Sequence, residues 1–269
     1  MQRTSVPDRR AGIPARSVRP MSEASPIGGA ALTCVVMPTY NERENLGMTL
    51  RDVFDHNPGV EVLVVDDASP DGTGELAEAL AHADWRIHVL HREDKLGLGP
   101  AYVAGFRWAL EAGYAVVCEM DMDGSHRGCD LAAMLRRLRD DDAPDLVIGS
   151  RRVAGGSTQG WSRWRNMVST GGSWYARAML GLPVRDMTAG FRAYRAQMLR
   201  RIDLGDIRAN GYVFQIDMTR RVARAGGVIV EVPIVFPDRV RGTSKMTMGI
   251  VAEAMLAVSG WGLDRLLHR

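Results

Sequence analysis

The stretch "LTCVVMPTYNERENLGMTLRDVF" (32–54) decides the fold. Leu32 to Met37 have strand character, a polar turn follows, and then Leu46, Leu50, Val53 and Phe54 recur at the i, i+4, i+7, i+8 spacing of an amphipathic helix. The same unit repeats along the chain. "EVLVV" (61–65) precedes the helical "GTGELAEALAHA" (72–83), and "RIHVL" (86–90) precedes a helix with Tyr102, Phe106, Ala109 and Leu110 on one face. "AVVCEM" (115–120) leads to a helix capped near Asp130 with Leu131, Met134, Leu135 and Leu138 inward, and "DLVIG" (145–149) closes the run. Alternation of this kind predicts an α/β fold: a mostly parallel central sheet with helices on both faces.

Each strand runs into a polar or glycine-rich segment: "PTYNE" (38–42), "DDASPDG" (66–72), "GLGPA" (97–101), "DMDGSH" (121–126) and "SRR" (150–152). The carboxyl ends of strands in an open parallel sheet share one edge, and ligands bind in the crevice there, so these five clusters converge on one site. Asp121 and Asp123, at i and i+2 of extended chain, point to one side and repel unless a cation lies between them. A divalent metal is the expected occupant.

Charge is divided along the chain. Residues 31–150 carry 10 basic and 22 acidic side chains, whereas residues 151–269 carry 19 basic and 8 acidic ones. A metal-holding half joined to an anion-holding half fits this division, and no aromatic-interleaved basic motif calls for nucleic acid. The glycines at 97, 99 and 105 do not have the dinucleotide spacing, and no P-loop occurs. The three cysteines (Cys34, Cys118, Cys129) lack a C-x-x-C pair, which argues against a disulfide framework or a zinc site and fits a reducing cytosol. Residues 1–30 read as a disordered tail without an apolar export region, 31–245 as the catalytic domain, and 246–269 as an amphipathic segment too broken by Glu253, Ser259 and glycines to span a bilayer. That segment reads either as a helix packed on the core or as an interfacial helix.

Seven blocks in order, "VVMPTYNERENL", "VLVVDDASPDGT", "GLGPAYVAGF", "EMDMDGSH", "IGSRRVAGG", "DMTAGFRAY" and "EVPIVFPDRVRGTSK", resemble the inverting glycosyltransferases of family 2. Within that family the resemblance is to the dolichol-phosphate mannose synthase group, and most closely to the polyprenol monophosphomannose synthases of actinobacteria. It covers residues 32–248 and implies the nucleotide-sugar-binding fold called GT-A. By resemblance, Pro38, Tyr40 and Glu42 meet the nucleotide, Val65 and Asp67 the base and ribose, and Asp121, Met122 and Asp123 the donor diphosphate. Asp121, Asp123 and Ser125 are the implied ligands of Mg²⁺ or Mn²⁺. His126 reads as a hydrogen-bonded loop histidine. Arg151, Arg165 and Ser169 match the acceptor-phosphate positions, while Arg239, Ser244 and Lys245 match a loop closing over the donor. Arg152 and Arg163 read either as further phosphate contacts or as solvated, the sequence not separating the two, and Asp71 as an acid serving a helix N-terminus.

The implied reaction transfers mannose from GDP-mannose to a polyprenyl monophosphate with inversion, with Asp121, Asp123 and Arg239 as the catalytic groups. A phosphate nucleophile is already anionic, so no dedicated base is required. A UDP-sugar donor such as UDP-glucose and a non-catalytic nucleotide-sugar-binding subunit are the alternatives. The expected location is cytoplasmic, at the inner membrane face, through the lipid surface itself or a membrane-protein partner.

Overall fold

The computed structural model describes residues 32–205, 207, 211–238 and 248–267. In chain order its elements are β1 (Thr33–Thr39), α1 (Arg43–His56), β2 (Val60–Asp66), α2 (Thr73–Ala83), β3 (Ile87–His91), α3 (Leu98–Glu111), β4 (Val116–Glu119) and α4 (Gly128–Arg137). There follow β5 (Leu146–Ser150), β6 (Ser157–Thr158), α5 (Arg163–Leu180), β7 (Arg192–Arg195), α6 (Ala196–Arg201), α7 (Gly211–Arg224), β8 (Ile229–Pro233), β9 (Val235–Phe236) and α8 (Met248–Leu267). The five expected strands are present within two residues of their expected bounds.

Among the described residues the sheet order is β3-β2-β1-β4-β7-β5-β8, and β6 pairs with β9. Neighbours in the main sheet are parallel except at β7, which runs antiparallel to both β4 and β5. The antiparallel strand therefore separates β4 from β5. It also brings the loop before it, residues 186–191, to the edge where the other strands end.

Strand residues of β1 alternate between two cores. Cys34 and Val36 pack with Tyr102, Phe106 and Phe214 on one face; Val35 and Met37 pack with Leu46, Leu50 and Leu131 on the other. Burial on both faces explains the unbroken apolar runs that mark these strands in the sequence. Cys34 and Cys118 lie in these cores and Cys129 is exposed. Helix α3 lies close on the sheet because residue 105 is glycine: a Cβ there would come within 2.3 Å of Val36 Cγ1.

The cap expected at Asp130 is corrected. Helix α4 starts one turn earlier with Arg127 as N-cap, and Asp130 instead accepts from Arg127 Nε and Nη2, both at 2.8 Å. The first amide of the helix is capped from α1, Gly128 N donating to Asp52 Oδ2 at 2.6 Å.

Helix α8 packs on α5 and α7. Val258 is buried, and the Tyr175 and Ser259 hydroxyls are 2.6 Å apart. The packed-helix reading of this segment is the one the contacts support, and Met255, Leu256, Leu263, Leu266 and Leu267 remain exposed on the same helix. No helix among the described residues is long and apolar enough to cross a membrane.

Candidate active site

The order β2-β1-β4 places the strand-order reversal beside β1, and the loops after these three strands meet there. Two of them hold non-glycine residues in the left-handed region, Asn41 at φ 60° and Ala68 at φ 53°. Such residues cost on the order of 1–3 kcal/mol each and persist where surrounding contacts enforce them. Here Asn41 N donates to Ser69 Oγ, Glu42 N to Thr73 Oγ1, and Asp67 N to Thr39 O, tying the first two loops together.

Asp66 is the anchor of its loop. It accepts from Ser69 Oγ at 2.5 Å, Ser69 N at 3.2 Å and Thr39 Oγ1 at 3.3 Å. Asp67 accepts from Arg92 Nη1 at 2.6 Å, and burial pushes its carboxyl up from the ordinary value even against that guanidinium. Asp71 takes the structural role expected of it. It accepts from Thr73 N, Thr73 Oγ1 and Arg43 N, and although burial acts to raise it these bonds hold it below the ordinary range. Pro38, Tyr40 and Glu42 are partly exposed beside this loop, with Lys95 Nζ 3.6 Å over the Tyr40 ring. Glu42 Oε2 accepts from Asn45 Nδ2 at 2.7 Å. Val65 does not join them: its side chain is wholly buried in the core under α3, within reach of Gly105.

Strand β4 ends at Glu119, so the acidic pair lies in the following loop rather than on the strand. Gly124, at φ 77°, makes the turn. Asp121 N donates to His126 Nδ1 at 2.9 Å, which leaves Nε2 as the protonated nitrogen of a neutral ring; the ring stacks on Phe191 at 4.4 Å. This is the loop histidine the sequence suggested. Tyr102 Oη donates to Asp121 Oδ1 at 3.2 Å. Asp123 Oδ1 accepts from Ser125 N at 3.0 Å and Ser125 Oγ at 2.6 Å, and Ser125 itself is fully buried. Met122, between the two acids, packs into the core beneath, its carbonyl accepting from Thr49 Oγ1. Below the pair, burial lifts Glu119 to about 7, against hydrogen bonds from Gln215 Nε2 and Tyr194 Oη.

Two carboxylates are hard oxygen donors of the kind Mg²⁺ and Mn²⁺ take. No cluster of three or more His, Cys, Asp or Glu able to hold a metal exists among the described residues, so the rest of the shell would come from substrate phosphates, hydroxyl or water. The donor set fits such an ion.

The basic side of the edge is built from the ends of β5 and α5. Arg151 is buried and forked onto Asp186, Nε to Oδ2 and Nη2 to Oδ1 at 2.7 Å each, with Asp186 Oδ2 also accepting Arg151 N. Burial opposes both charges, yet the pairing holds Asp186 below and Arg151 above their ordinary values. Nη2 further donates to Thr188 Oγ1 at 3.1 Å, so Nη1 is the part of this guanidinium outside the fork. Arg165 lies 3.9 Å over the Trp161 ring and donates from Nη1 to Asp238 Oδ1 at 2.7 Å. Ser169, one turn on along α5, is buried.

Of the two readings of Arg152, the structure excludes the solvated one. Arg152 is partly buried, donates from Nη1 to Asn166 Oδ1 at 2.6 Å, and its Nε and Nη2 are buried with no partner. Burial and the charge of Arg151 hold its guanidinium below the ordinary value. Arg165 Nε and Trp161 Nε1 are likewise buried and unpartnered. Four orphaned donors in one cluster of cations make a setting for an anion. Nothing in the local sequence separates Arg152 from a surface arginine, and the Arg151–Asp186 pair spans 35 positions that no short motif connects. Arg239, Ser244 and Lys245 lie outside the described residues.

The Glycosyl transferase family 2 model matches residues 34–203. An undecaprenyl-phosphate mannosyltransferase of Micrococcus luteus is 56% identical over 85% of this chain and 93% of its own. A polyprenol monophosphomannose synthase of Mycolicibacterium smegmatis is 47% identical over 98% of this chain and 97% of its own. Among solved structures, glucosyl-3-phosphoglycerate synthase from Mycobacterium tuberculosis, in complex with Mn²⁺, UDP-glucose and phosphoglyceric acid, superposes with TM-score 0.63 at 20% identity, over 86% of this chain and 80% of that one. This likeness is one of fold, GT-A. With the sheet edge, the paired acids and these relatives together, the chain belongs to glycosyl transferase family 2, in its actinobacterial polyprenol-phosphate mannose synthase group, and is a glycosyltransferase.

Proposed function

We propose that this enzyme transfers mannose from GDP-mannose to a polyprenyl monophosphate with inversion, at a membrane surface. One observation carries the reading: the acidic and basic halves meet, since His126, which accepts from Asp121 N, packs 5.3 Å from the Phe236 ring and the Arg151 guanidinium lies 5.3 Å over that same ring. A metal-bound diphosphate and an anionic acceptor require such neighbours. The two relatives whose names specify mannosyl transfer to undecaprenyl phosphate and a polyprenol product support the substrates.

In this reading Asp121 and Asp123 hold Mg²⁺ or Mn²⁺, which when bound supplies Lewis-acid stabilisation of the departing diphosphate. Ser125 fixes the rotamer of Asp123, and Tyr102 that of Asp121. Pro38, Tyr40, Glu42 and Asp67 receive the nucleoside. Arg165 and Ser169, with the free edge of Arg151, hold the acceptor phosphate so that one of its oxygens faces the anomeric carbon opposite the leaving group. The new C–O bond forms as the old one breaks, its electron pair leaves with the diphosphate, and the anomeric configuration inverts. Arg239 and Lys245 would close over the donor.

The test is a panel of radiolabelled GDP-mannose, UDP-glucose and UDP-galactose with polyprenyl phosphate in vesicles, with and without EDTA. Lipid-linked label from GDP-mannose alone, lost with EDTA and restored by Mg²⁺ or Mn²⁺, is expected. Label from a UDP-sugar and none from GDP-mannose would overturn the donor assignment.

A further inference from the structure

The middle of α5 reads "STGGS" (169–173), two glycines inside an 18-residue helix. Each destabilises a helix interior relative to alanine. Packing within the chain does not demand them, because a Cβ at Gly171 or at Gly172 would meet no atom within 4 Å. Gly171 faces outward. Gly172 instead lines a cavity of ≈ 50 Å³ walled by Ile216 of α7 and by Ala254, Met255 and Val258 of α8. At about 10–15 Å³ per water that is room for roughly four water-sized groups, close to one five-carbon unit.

The walls are apolar, and two of the few hydroxyls among them belong to the basic cluster. Ser169 follows Arg165 by one helical turn, and Thr188 Oγ1 accepts from Arg151 Nη2. Arg165, Ser169 and Gly172 stand at i, i+4 and i+7 and share a helix face. Ser169 and Thr188 thus join the pocket to the basic cluster, in which Arg152, Arg165 and Trp161 keep buried, unpartnered donors. A free phosphate would leave the pocket empty, and a sugar or phosphoglycerate would put unpaired hydroxyls against hydrocarbon, which is unfavourable.

We propose that the cavity between α5, α7 and α8 seats the first isoprene unit of a prenyl phosphate, with the orphaned donors of Arg152 and Trp161 completing the grip on its phosphate. This rests on the acceptor reading above and extends it: Gly172 is the position that admits a prenyl group, and Arg152 is a phosphate ligand. The pocket measures only the carbons next to the phosphate, so chain length beyond them is not selected here.

Calorimetry with farnesyl phosphate and with inorganic phosphate tests this on the full chain. The wild type should bind farnesyl phosphate at least tenfold more tightly than inorganic phosphate. Gly172→Leu should erase that preference, leaving inorganic phosphate and GDP affinities within about twofold, and should melt no lower than the wild type because leucine favours the helix. Gly171→Leu, outside the cavity, should keep the preference, and Ala254→Leu should reproduce the block from the opposite wall should Gly172→Leu fail to fold. Arg152→Gln should weaken both phosphates about tenfold. Undiminished farnesyl phosphate binding by a folded cavity-filled variant, with Arg165→Ala still weakening it, would overturn the prenyl pocket and spare the acceptor site. Equal binding by wild type and Arg165→Ala would remove the acceptor reading itself.

Discussion

Asp186→Asn is expected to cost about 3–5 kcal/mol, since it strands the buried Arg151 guanidinium without its counter-charge. The sign of the pH dependence follows from the lowered carboxyl. The stabilisation by this pair is fully present above the unfolded value of 3.8 and declines as pH falls below it toward the folded value, so the gap between wild type and variant should narrow in acid. Urea midpoints from pH 7 down to pH 3 measure this, and a gap independent of pH would assign the loss to packing. Ser125→Ala removes a donor to Asp123 and should weaken Mn²⁺ binding by roughly 10–100-fold, the effect usual for a group that orients a metal ligand. Asp123→Asn should reduce turnover more than Ser125→Ala does, and a reversed order would make Ser125 the stronger ligand. At this scale the acids at 121 and 123 were legible because their spacing is local. Val65 and Met122, assigned to the donor by resemblance, have their side chains in the core, so any contact they make with a ligand is through the backbone.

Helix α5 was the least legible element. Its glycine pair, serines and threonine weaken a propensity-based reading, and its boundaries rest on the Ser162 cap, which accepts from Arg165 N, and on Gly181 in the left-handed conformation. The same helix carries Trp164, Met167 and Trp174 at i, i+3 and i+10, exposed by 62%, 58% and 69%, and has three arginines and no acid. Tryptophan on a basic helix favours the bilayer interface, and the exposed leucines of α8 stand on the helix packed against it. Sedimentation with vesicles containing phosphatidylglycerol should therefore retain the protein at low salt, and Trp164→Ser with Trp174→Ser should lose most of that retention without lowering the melting temperature. Full retention by the double variant would move the contact elsewhere. Truncation before Met246, by contrast, also removes packing against α5 and α7, so its effect on retention would mix binding with stability.

At the scale of the molecule, the parallel half of the sheet was legible because buried strands are continuous apolar runs separated by amphipathic helices. In the second half only β5 was. Strand β7, "RAYR", has no apolar run and owes its place to Arg192, a fully buried guanidinium that donates to Ala189 O, Met187 O, Thr219 Oγ1 and Tyr194 Oη. Such a residue looks like surface in a sequence and becomes core only when its acceptors are in place. The division of charge was legible as well, and its meaning followed from the topology that brings the loops of both halves to one edge. GDP with Mn²⁺ should raise the melting temperature by more than the sum of their separate shifts, because each strengthens the other's binding at the assembled edge; additive shifts would argue against a shared site.

The antiparallel insertion also sets an order of events in time. Strands β1 to β4 can pair among themselves once residue 119 has been made, but β5 gains its first neighbour in the sheet only when β7 arrives, after residue 192. At about 5–20 residues per second the ribosome takes roughly 2–8 seconds to go from the end of β5 to the start of β7. For those seconds "LVIGS", buried at every position in the finished protein, is an open apolar strand. Nascent chains arrested near residue 190, long enough for β5 to leave the ribosome and too short to contain β7, should therefore be cut by protease near β5 and engage chaperones there, whereas chains arrested with the whole sheet outside the ribosome should resist.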